Sequence, residues 1–224
     1  MSLDLLARAA VHGALGDPVR LAMVDDLAFS DRSPAELAER YAVTSNLLAH
    51  HLGVLERAGL IERYASSGDR RRRYVRLVHE TLEGVGVGVG VGQGLATCRM
   101  VFVCTHNSAR SQLAAALWRQ EAGGEAESAG THPAERVHPG AVAAGARAGL
   151  DLSRARPRSL DELDLTGAQV VTVCDRAHEE LDRGPDWWHW STPDPAAAPS
   201  SEAFDEALDR IRRRVITLRE RTTE

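Results

Sequence analysis

Residues 100–117 read MVFVCTHNSARSQLAAAL, and this stretch decides the fold of the second half of the chain. The apolar run Met100–Val103 has the length and β-branched content of a buried strand, and the residues from Ser108 onward favour a helix. Cys104 therefore lies where a strand passes into a helix. Five residues separate Cys104 from Arg110, so we expect a loop whose N–H groups point inward beside a helix N-terminus.

Such a loop has the chemistry of an oxyanion-binding cradle with a thiol at its base. A thiolate is stabilised in these surroundings, and the planar fork of Arg110 matches two oxygens of a tetrahedral oxyanion. Ser111 can donate a hydrogen bond to the sulfur, and Asn107 can brace the loop because asparagine tolerates left-handed backbone geometry. The predicted oxyanion-binding residues are Thr105, His106, Asn107, Ser108, Ala109, Arg110 and Ser111. The alternative is a buried structural cysteine before an ordinary helix.

The whole sequence has 224 residues, which is long for one small domain and sufficient for two. Its net charge of −5 conceals a compact basic cluster, Arg70 to Arg73. No apolar run reaches the length of a transmembrane helix, and the first residues do not read as a signal peptide. We therefore expect a cytoplasmic protein without membrane association. Its three cysteines, an odd number, favour reactive thiols over a disulfide scaffold.

The first 58 residues carry the pattern of four helices. Two of them share the apolar spacing from Leu3 to Leu27 and are separated at Gly16-Asp17-Pro18. Ser33 and Pro34 open a third helix, and Thr44 or Ser45 caps a fourth that ends near Ala58. A short helix followed by a tight turn and a longer helix is typical of a helix-turn-helix motif.

Two alternating segments, residues 60–64 and 72–77, follow the predicted motif and flank the turn signal Ser67-Gly68-Asp69. They predict a β-hairpin, which forms a wing in this context, with the four arginines at its tip. The order of helices, helix-turn-helix and wing resembles the ArsR family of winged-helix repressors. The phrases ALGDPVRLAMVDDL, PAELAERY and LAHHLGVLERAGLIE carry the resemblance.

The ArsR resemblance implies operator DNA as a partner and a homodimer that reads two half-sites. It places the second helix of the motif in the major groove, and the wing arginines at the phosphate backbone. A solvated turn is the alternative for the arginines, and either His50 or His51 could instead face the core. The predicted DNA-binding residues are Thr44, Ser45, Asn46, His50, His51, Arg70, Arg71, Arg72 and Arg73.

Arsenite-sensing members of that family use a cysteine cluster, whereas residues 1–97 contain no cysteine. His79 and Glu80 are the only candidates for a zinc-type site, so we predict no metal site. The alternation of glycine and valine from Gly84 to Gly92 indicates a flexible tether. We predict a DNA-binding domain at 1–82, a Gly/Val-rich linker at 83–97 and a second domain at 98–224.

The second domain alternates strands and helices, which predicts an α/β doubly wound parallel sheet with its site at the strand C-termini. The strands ending at Cys104 and Cys174 place both thiols at the same edge. Asp194 arrives in a loop bounded by Pro193 and Pro195, which restrict its backbone.

The stretch VCTHNSARSQLA resembles the low-molecular-weight phosphotyrosine phosphatase superfamily, and NSARSQ is similar to its thiol-dependent arsenate reductase branch. The resemblance extends through Ser128 to Thr131, His189-Trp190 and Pro193 to Pro195, over nearly all of residues 98–224. It implies a four-stranded parallel sheet and no bound cofactor. It also implies an external thiol reductant, either thioredoxin or a low-molecular-weight thiol with a glutaredoxin-like protein.

The resemblance further assigns the catalytic roles. Cys104 attacks arsenate held by Arg110, Asp194 protonates the departing oxygen, and Cys174 matches the first resolving cysteine. Thioredoxin-linked members have another cysteine later, whereas residues 175–194 contain none. The reaction could be completed by formation of a Cys104–Cys174 disulfide or by attack of a small thiol on the adduct, or there could be no turnover. Cys174 could also be a core residue, and Cys98, two residues before the strand, is expected at its opposite end.

Three functions remain open on these patterns. The first is a bifunctional arsenic-resistance protein that reduces arsenate and binds DNA as a transcriptional regulator. The second is a phosphatase fused to a repressor, since the same loop and Asp194 would serve phosphoester cleavage. The third is a sensor without catalysis, in which an oxyanion or arsenite bound by the second domain controls DNA binding.

Overall fold

The computed structural model describes residues 4–86, 99–181 and 186–222 of the chain. These residues form two compact units, one built from residues 4–66 and 70–86 and the other from residues 67–69, 99–181 and 186–222. Cys98 and most of the predicted linker, residues 87–97, lie outside the described residues. The predicted domain boundaries at residues 82 and 98 therefore stay predictions.

The first unit contains five helices and a two-stranded antiparallel hairpin within its described residues. In chain order these are α1 (Leu5–Leu15), α2 (Pro18–Phe29), α3 (Pro34–Arg40), α4 (Ser45–Arg57), β1 (Ile61–Ala65), β2 (Arg73–Leu77) and α5 (His79–Glu83). Arg32 adds an antiparallel bridge to Val75, at the edge of the hairpin. The helix-turn-helix and its wing are therefore confirmed, and α5 is an additional helix that the sequence patterns did not predict.

Side-chain caps fix where the helices of this unit begin. Asp17 accepts hydrogen bonds from the backbone N–H groups of Val19 and Arg20, both at 3.0 Å, at the start of α2. Ser33 and Glu36 form a reciprocal capping box at the start of α3. Of the two predicted caps for α4, Thr44 accepts from the N–H of Leu47 at 3.4 Å. The turn between α3 and α4 is thus bounded by a defined helix end and a capped helix start.

One apolar core joins the helices of the first unit to its hairpin. Leu27 on α2, Leu37 on α3 and Leu52 on α4 are at most 1% exposed. Leu60 and Val75 bring the hairpin into the same cluster, so the wing is anchored on the helix-turn-helix by shared burial.

The second unit has four strands and four α-helices within its described residues. In chain order these are β3 (Arg99–Cys104), α6 (Arg110–Leu117), β4 (Ala126–Gly130), α7 (Pro139–Arg147), β5 (Ala168–Thr172), α8 (Asp175–Glu180), β6 (Trp188–His189) and α9 (Ser201–Thr222). A π-helical turn at Trp118–Ala122 continues α6, and a short 3-10 helix lies at Leu160–Glu162. The helix α8 and the strand β6 were not predicted from local patterns because each is brief.

The four strands form one parallel sheet in the order β4-β3-β5-β6. The central strand β3 is buried from Met100 to Cys104, which explains its unbroken apolar run. Its last residue, Cys104, is paired with Gly130, so the C-terminal ends of the strands meet at one edge. Helix α9 packs against α6 and α7. The predicted fold class, a doubly wound four-stranded parallel sheet, is confirmed.

Within residues 4–86, 99–181 and 186–222, none of the helices combines the length and apolarity needed to cross a bilayer.

The capping box at α3 generates a test of the first unit. Replacing Ser33 by Ala removes the cap of the first helix of the motif and should destabilise this unit by about 1 kcal/mol. Ser33→Thr, which retains a capping hydroxyl, is the control. All four tryptophans lie at positions 118–190, so tryptophan fluorescence follows the second unit and should keep its denaturant midpoint. An unchanged far-ultraviolet circular dichroism transition in Ser33→Ala would contradict the role of the cap.

Candidate active site

The predicted loop joins β3 to α6 and surrounds the sulfur of Cys104. Cys104 ends β3 and is 2% exposed, and α6 begins at Arg110. The backbone N–H of Asn107 donates to Cys104 Sγ at 3.2 Å, and Ser111 Oγ lies 3.0 Å from the same sulfur. The sulfur therefore lies between a backbone donor and a hydroxyl at the start of a helix, a position suited to a nucleophile.

Asn107 is the residue that shapes this loop. Its φ angle is 47°, in the left-handed region, which asparagine adopts more readily than most residues. Its side-chain amide donates to Ser111 Oγ at 2.8 Å, and its Oδ1 accepts from the N–H of Arg158 at 3.0 Å and from Gln112 Nε2 at 3.1 Å. The backbone turn and the position of Ser111 are therefore fixed by one fully buried side chain.

The loop carbonyls are held from the outside by the segment after β4. The carbonyl oxygens of Thr105, His106 and Ser108 accept from backbone N–H groups of residues 132, 134 and 138 at 2.8 to 3.0 Å. A Cβ atom on Gly130 would lie 2.8 Å from Thr105 O and 3.0 Å from Asn107 N. The close approach of β4 to the loop therefore requires glycine at position 130.

Arg110 reaches from the first turn of α6 to the segment that carries Asp194. Its Nη1 donates to the carbonyl of Thr192 at 3.1 Å, and its Nη2 lies 3.1 Å from Asp194 Oδ2. The Arg110 side chain is 7% exposed and the Asp194 side chain is 39% exposed. The guanidinium is thus buried beside the loop, and the carboxylate lies at its solvent side, where a general acid could meet a departing oxygen.

Cys174 lies two residues beyond the end of β5 and caps α8. Its Sγ accepts from the N–H of Ala177 at 3.4 Å and lies 3.5 Å from Thr105 Oγ1. Burial raises the pKa of the Cys174 thiol, the charge of Arg110 acts in the opposite direction, and the charge of Cys104 raises it further. Strand β5 ends at Thr172, before the predicted end at Cys174, but the Cys174 thiol still lies at the edge of the sheet that holds the Cys104 loop.

A buried polar network adjoins Cys174. Thr172 Oγ1 lies 2.8 Å from His178 Nδ1 and 3.0 Å from His189 Nδ1, and the two rings stack with centroids 3.9 Å apart. His189 Nε2 lies 2.9 Å from Asp175 Oδ1. Burial acts to raise the pKa of Asp175, but the hydrogen bond and charge of His189, with a further hydrogen bond from Ser191, hold it well below its ordinary value.

Sequence reasoning missed the residues that support the site. Gln112 occurs in the quoted NSARSQ phrase, and its polar side chain on an otherwise apolar helix face was an available signal. Asp175 and His189 are separated by 13 residues, and no spacing rule connects them. The strand pairing of β5 with β6 brings them together.

The predicted DNA-binding residues lie in the first unit. Thr44, which caps α4, is exposed, as are Ser45, Asn46 and His50 in the first two turns of that helix. The arginines at 70–73 are exposed in and beside the hairpin turn. His51 differs, because it is 5% exposed and its Nδ1 lies 3.8 Å from Asp17 Oδ1. His51 therefore faces the core of the unit. This is the alternative that the sequence left open for one of the two histidines.

The second unit has the geometry of a cysteine-based oxyanion site on a doubly wound sheet. A family profile described as low molecular weight phosphotyrosine protein phosphatase matches residues 99–224, and one described as helix-turn-helix domain matches residues 15–64. The chain therefore belongs to the low molecular weight phosphotyrosine protein phosphatase family, with a helix-turn-helix domain preceding the family domain.

Relatives of the second unit include arsenate reductases. The arsenate reductase of Halalkalibacterium halodurans is 34% identical over 130 residues, which are 53% of this chain and 93% of the relative. The arsenate reductase of Bacillus subtilis is 36% identical over 107 residues, 45% of this chain and 76% of the relative.

Solved structures show the same similarity. A structure described as an arsenate reductase in the phosphate binding state has 25% identity and a TM-score of 0.50, covering 55% of this chain and 98% of its own. The low molecular weight protein tyrosine phosphatase from T. tengcongensis has a TM-score of 0.50 at 24% identity, covering 55% and 99% of the two chains, and supports the fold alone.

The contacts of Asn107 generate a test of the loop. Asn107→Ala leaves the buried N–H of Arg158 without its acceptor and places alanine at a positive φ, so we expect the second unit to lose about 2–4 kcal/mol. Asn107→Gly removes the same side-chain bonds but relieves the backbone, and should lose about 1 kcal/mol less. Denaturation followed by tryptophan fluorescence measures both variants. Equal losses would show that the left-handed backbone carries no cost here.

Proposed function

We propose that the second unit is a thiol-dependent arsenate reductase. The observation that carries the proposal is the joint placement of Cys104 in its loop, Arg110 with Asp194, and a second buried thiol, Cys174, at one sheet edge. A phosphatase needs Cys104, Arg110 and Asp194, whereas the second thiol, together with Cys104, supplies the two electrons that a reduction requires.

The proposed first step is attack by the Cys104 thiolate on the arsenic atom of arsenate. Arg110 and the loop N–H groups hold the oxyanion, and Asp194 protonates the departing oxygen, which leaves as water. The step forms a sulfur–arsenic bond and breaks an arsenic–oxygen bond. The exposed position of the Asp194 carboxylate beside Arg110 is suited to this proton transfer.

The proposed second step is attack by Cys174 on the sulfur of Cys104. The sulfur–arsenic bond breaks, its electron pair stays on arsenic, and arsenite leaves with the proton of the Cys174 thiol while a Cys104–Cys174 disulfide forms. The two thiols lose two electrons and arsenic(V) gains two, so the step is balanced. An external thiol system, thioredoxin or a low-molecular-weight thiol with a glutaredoxin-like protein, then reduces the disulfide. We place this cycle in the cytoplasm, where thiols stay reduced.

A phosphatase is the second candidate function, and the buried state of Cys174 favours it. Burial raises the pKa of that thiol and keeps it protonated at rest, which makes it a weak nucleophile. If Cys174 did not react, water could hydrolyse a Cys104 phosphoenzyme formed in the same loop. A sensor without turnover is the third candidate, and it predicts oxyanion-dependent DNA affinity with no consumption of reductant.

One assay separates these candidates. Purified protein is mixed with arsenate and offered the thioredoxin system or a low-molecular-weight thiol with a glutaredoxin-like protein, and p-nitrophenyl phosphate is tested in parallel. We expect arsenate-dependent oxidation of NADPH with one of the two systems. Phosphatase turnover without arsenate-dependent oxidation would overturn the reductase proposal.

Cys174 gives the sharpest single-residue test. Cys174→Ser should still form the first adduct at Cys104, but multiple-turnover reduction should fall by at least about 100-fold, because no thiol displaces arsenite. Cys98→Ser is the matched control and should retain wild-type turnover. Mass spectrometry detects the adduct, and NADPH oxidation reports turnover. Undiminished turnover in Cys174→Ser would leave Cys174 a structural residue.

We further propose that the first unit binds operator DNA as a homodimer and regulates transcription. The exposed first turns of α4 present polar side chains suited to base and phosphate contacts, and the arginines at 70–73 present positive charge beside the hairpin turn. Together with the reductase, this unit would make the chain a bifunctional arsenic-resistance protein. Arsenate, operator DNA and the thiol reductant are its proposed partners.

The hairpin arginines provide the test of DNA binding. Changing Arg71 and Arg72 to Ala should weaken binding to a palindromic operator and flatten the dependence of log K on log salt by about 0.9 for each phosphate that the variant no longer neutralises. Arg154→Ala, an exposed arginine of the second unit, is the control. Fluorescence anisotropy across a salt series measures the slope, and an unchanged slope would exclude phosphate contacts by the wing.

A further inference from the structure

The buried network of Thr172, Asp175, His178 and His189 has no assigned step in the proposed reaction. Asp175, His189 and Thr172 are each 0% exposed and His178 is 1% exposed. Burying a carboxylate and two imidazoles is costly unless each is well paired. The network is fully enclosed and adjoins Cys174.

Asp175 is joined to both functional segments of this edge of the sheet. It directly follows Cys174 and begins α8, the helix that Cys174 caps. Its Oδ1 lies 2.9 Å from His189 Nε2, and its carboxylate also accepts a hydrogen bond from the side chain of Ser191. One buried carboxylate thus connects the Cys174 turn with the chain that leaves β6.

The chain leaving β6 reaches Asp194 within five residues of His189. The N–H of Trp190 donates to Thr172 O at 2.8 Å, and the carbonyl of Thr192 accepts from Arg110 at 3.1 Å. The position of the Asp194 segment is therefore set on one side by Arg110 and on the other by the contacts of His189 and Ser191.

We propose that the Asp175–His189 pair is a positioning device that holds the turn carrying Cys174 against the segment carrying Asp194. Both residues act through Cys174 and Asp194, which are the groups that react. The pair keeps the first turn of α8 closed over the Cys174 thiol. It also keeps Asp194, the proposed general acid, in its position beside Arg110. The consequence for turnover rests on the proposed reductase function, whereas the consequence for the Cys174 thiol does not.

Two substitutions at His189 separate the Asp175 contact from the removal of the ring. His189→Gln places an amide nitrogen near the position of Nε2 and retains a donor to Asp175. His189→Asn is shorter, retains a donor near the position of Nδ1, and does not reach Asp175. His138→Asn is the control, because it removes the ring that stacks on Phe204 while asparagine can still cap α7.

The first measurement is alkylation of Cys174 by iodoacetamide in a Cys98→Ser, Cys104→Ser background, followed by mass spectrometry. We expect His189→Asn to raise the alkylation rate about tenfold, because the turn that buries the thiol opens locally. His189→Gln and His138→Asn should stay within about twofold of the background protein. Equal rates in His189→Asn and His189→Gln would overturn the proposal.

The second measurement is steady-state arsenate reduction with Cys98 and Cys104 intact. His189→Asn should lower kcat about tenfold through misplaced groups and leave the KM for arsenate within about twofold, because the oxyanion loop is not disturbed. A KM that rises with unchanged kcat would overturn the positioning role. If His189→Asn does not fold, Asp175→Asn, which retains volume and one acceptor, takes its place in both measurements.

The two measurements can contradict the reductase function and the positioning role independently of each other. A wild-type chain that oxidises no reductant with arsenate overturns the proposed reductase function, and the alkylation rates still decide whether the pair holds the Cys174 turn. Active wild-type protein with unchanged alkylation in His189→Asn overturns the positioning role alone.

Discussion

The hydrogen bond from the Asn107 N–H to the Cys104 sulfur is the interaction on which the second unit depends. It requires Asn107 to adopt a left-handed backbone conformation, and that conformation is held by the contacts of its side chain with Ser111, Gln112 and the N–H of Arg158. The same turn brings the loop so close to β4 that position 130 must be glycine. Sheet, loop and α6 are therefore fixed relative to the sulfur before any substrate is present, which is the condition for electrostatic preorganisation.

The local pattern around Cys104 was sufficient to predict this strand, loop and helix, because the apolar run, the Asn107 turn and the contact of Asn107 with Ser111 all lie within eight residues of the cysteine. The same holds for the caps at Asp17, Ser33 and Thr44. Local patterns left the outcome open where tertiary packing decides it. His51 and His50 are adjacent on one helix, and only the packing of α4 against α2 shows which of them faces the core. Asp175 and His189 meet only because β6 pairs with β5.

The two thiols of this site are both buried, and their neighbours differ. Cys104 accepts the N–H of Asn107 and Cys174 accepts the N–H of Ala177, while burial raises the pKa of the Cys174 thiol and the charge of Arg110 offsets part of that rise. An oxyanion bound to Arg110 would neutralise part of that offset. The attack of Cys174 on the adduct would then be the step in which this thiol has to lose its proton.

The distribution of cysteines limits how arsenic chemistry could reach the DNA-binding unit. Arsenite is a thiophilic species, and residues 1–97 contain no cysteine to bind it. All three thiols of the chain lie at position 98 or beyond. A response of DNA binding to arsenite through thiol ligands would therefore involve Cys98, Cys104 or Cys174, whereas a response to arsenate could begin with binding in the loop. The oxidised and reduced states of the Cys104 site are the simplest pair of states in this chain that a regulatory domain could distinguish.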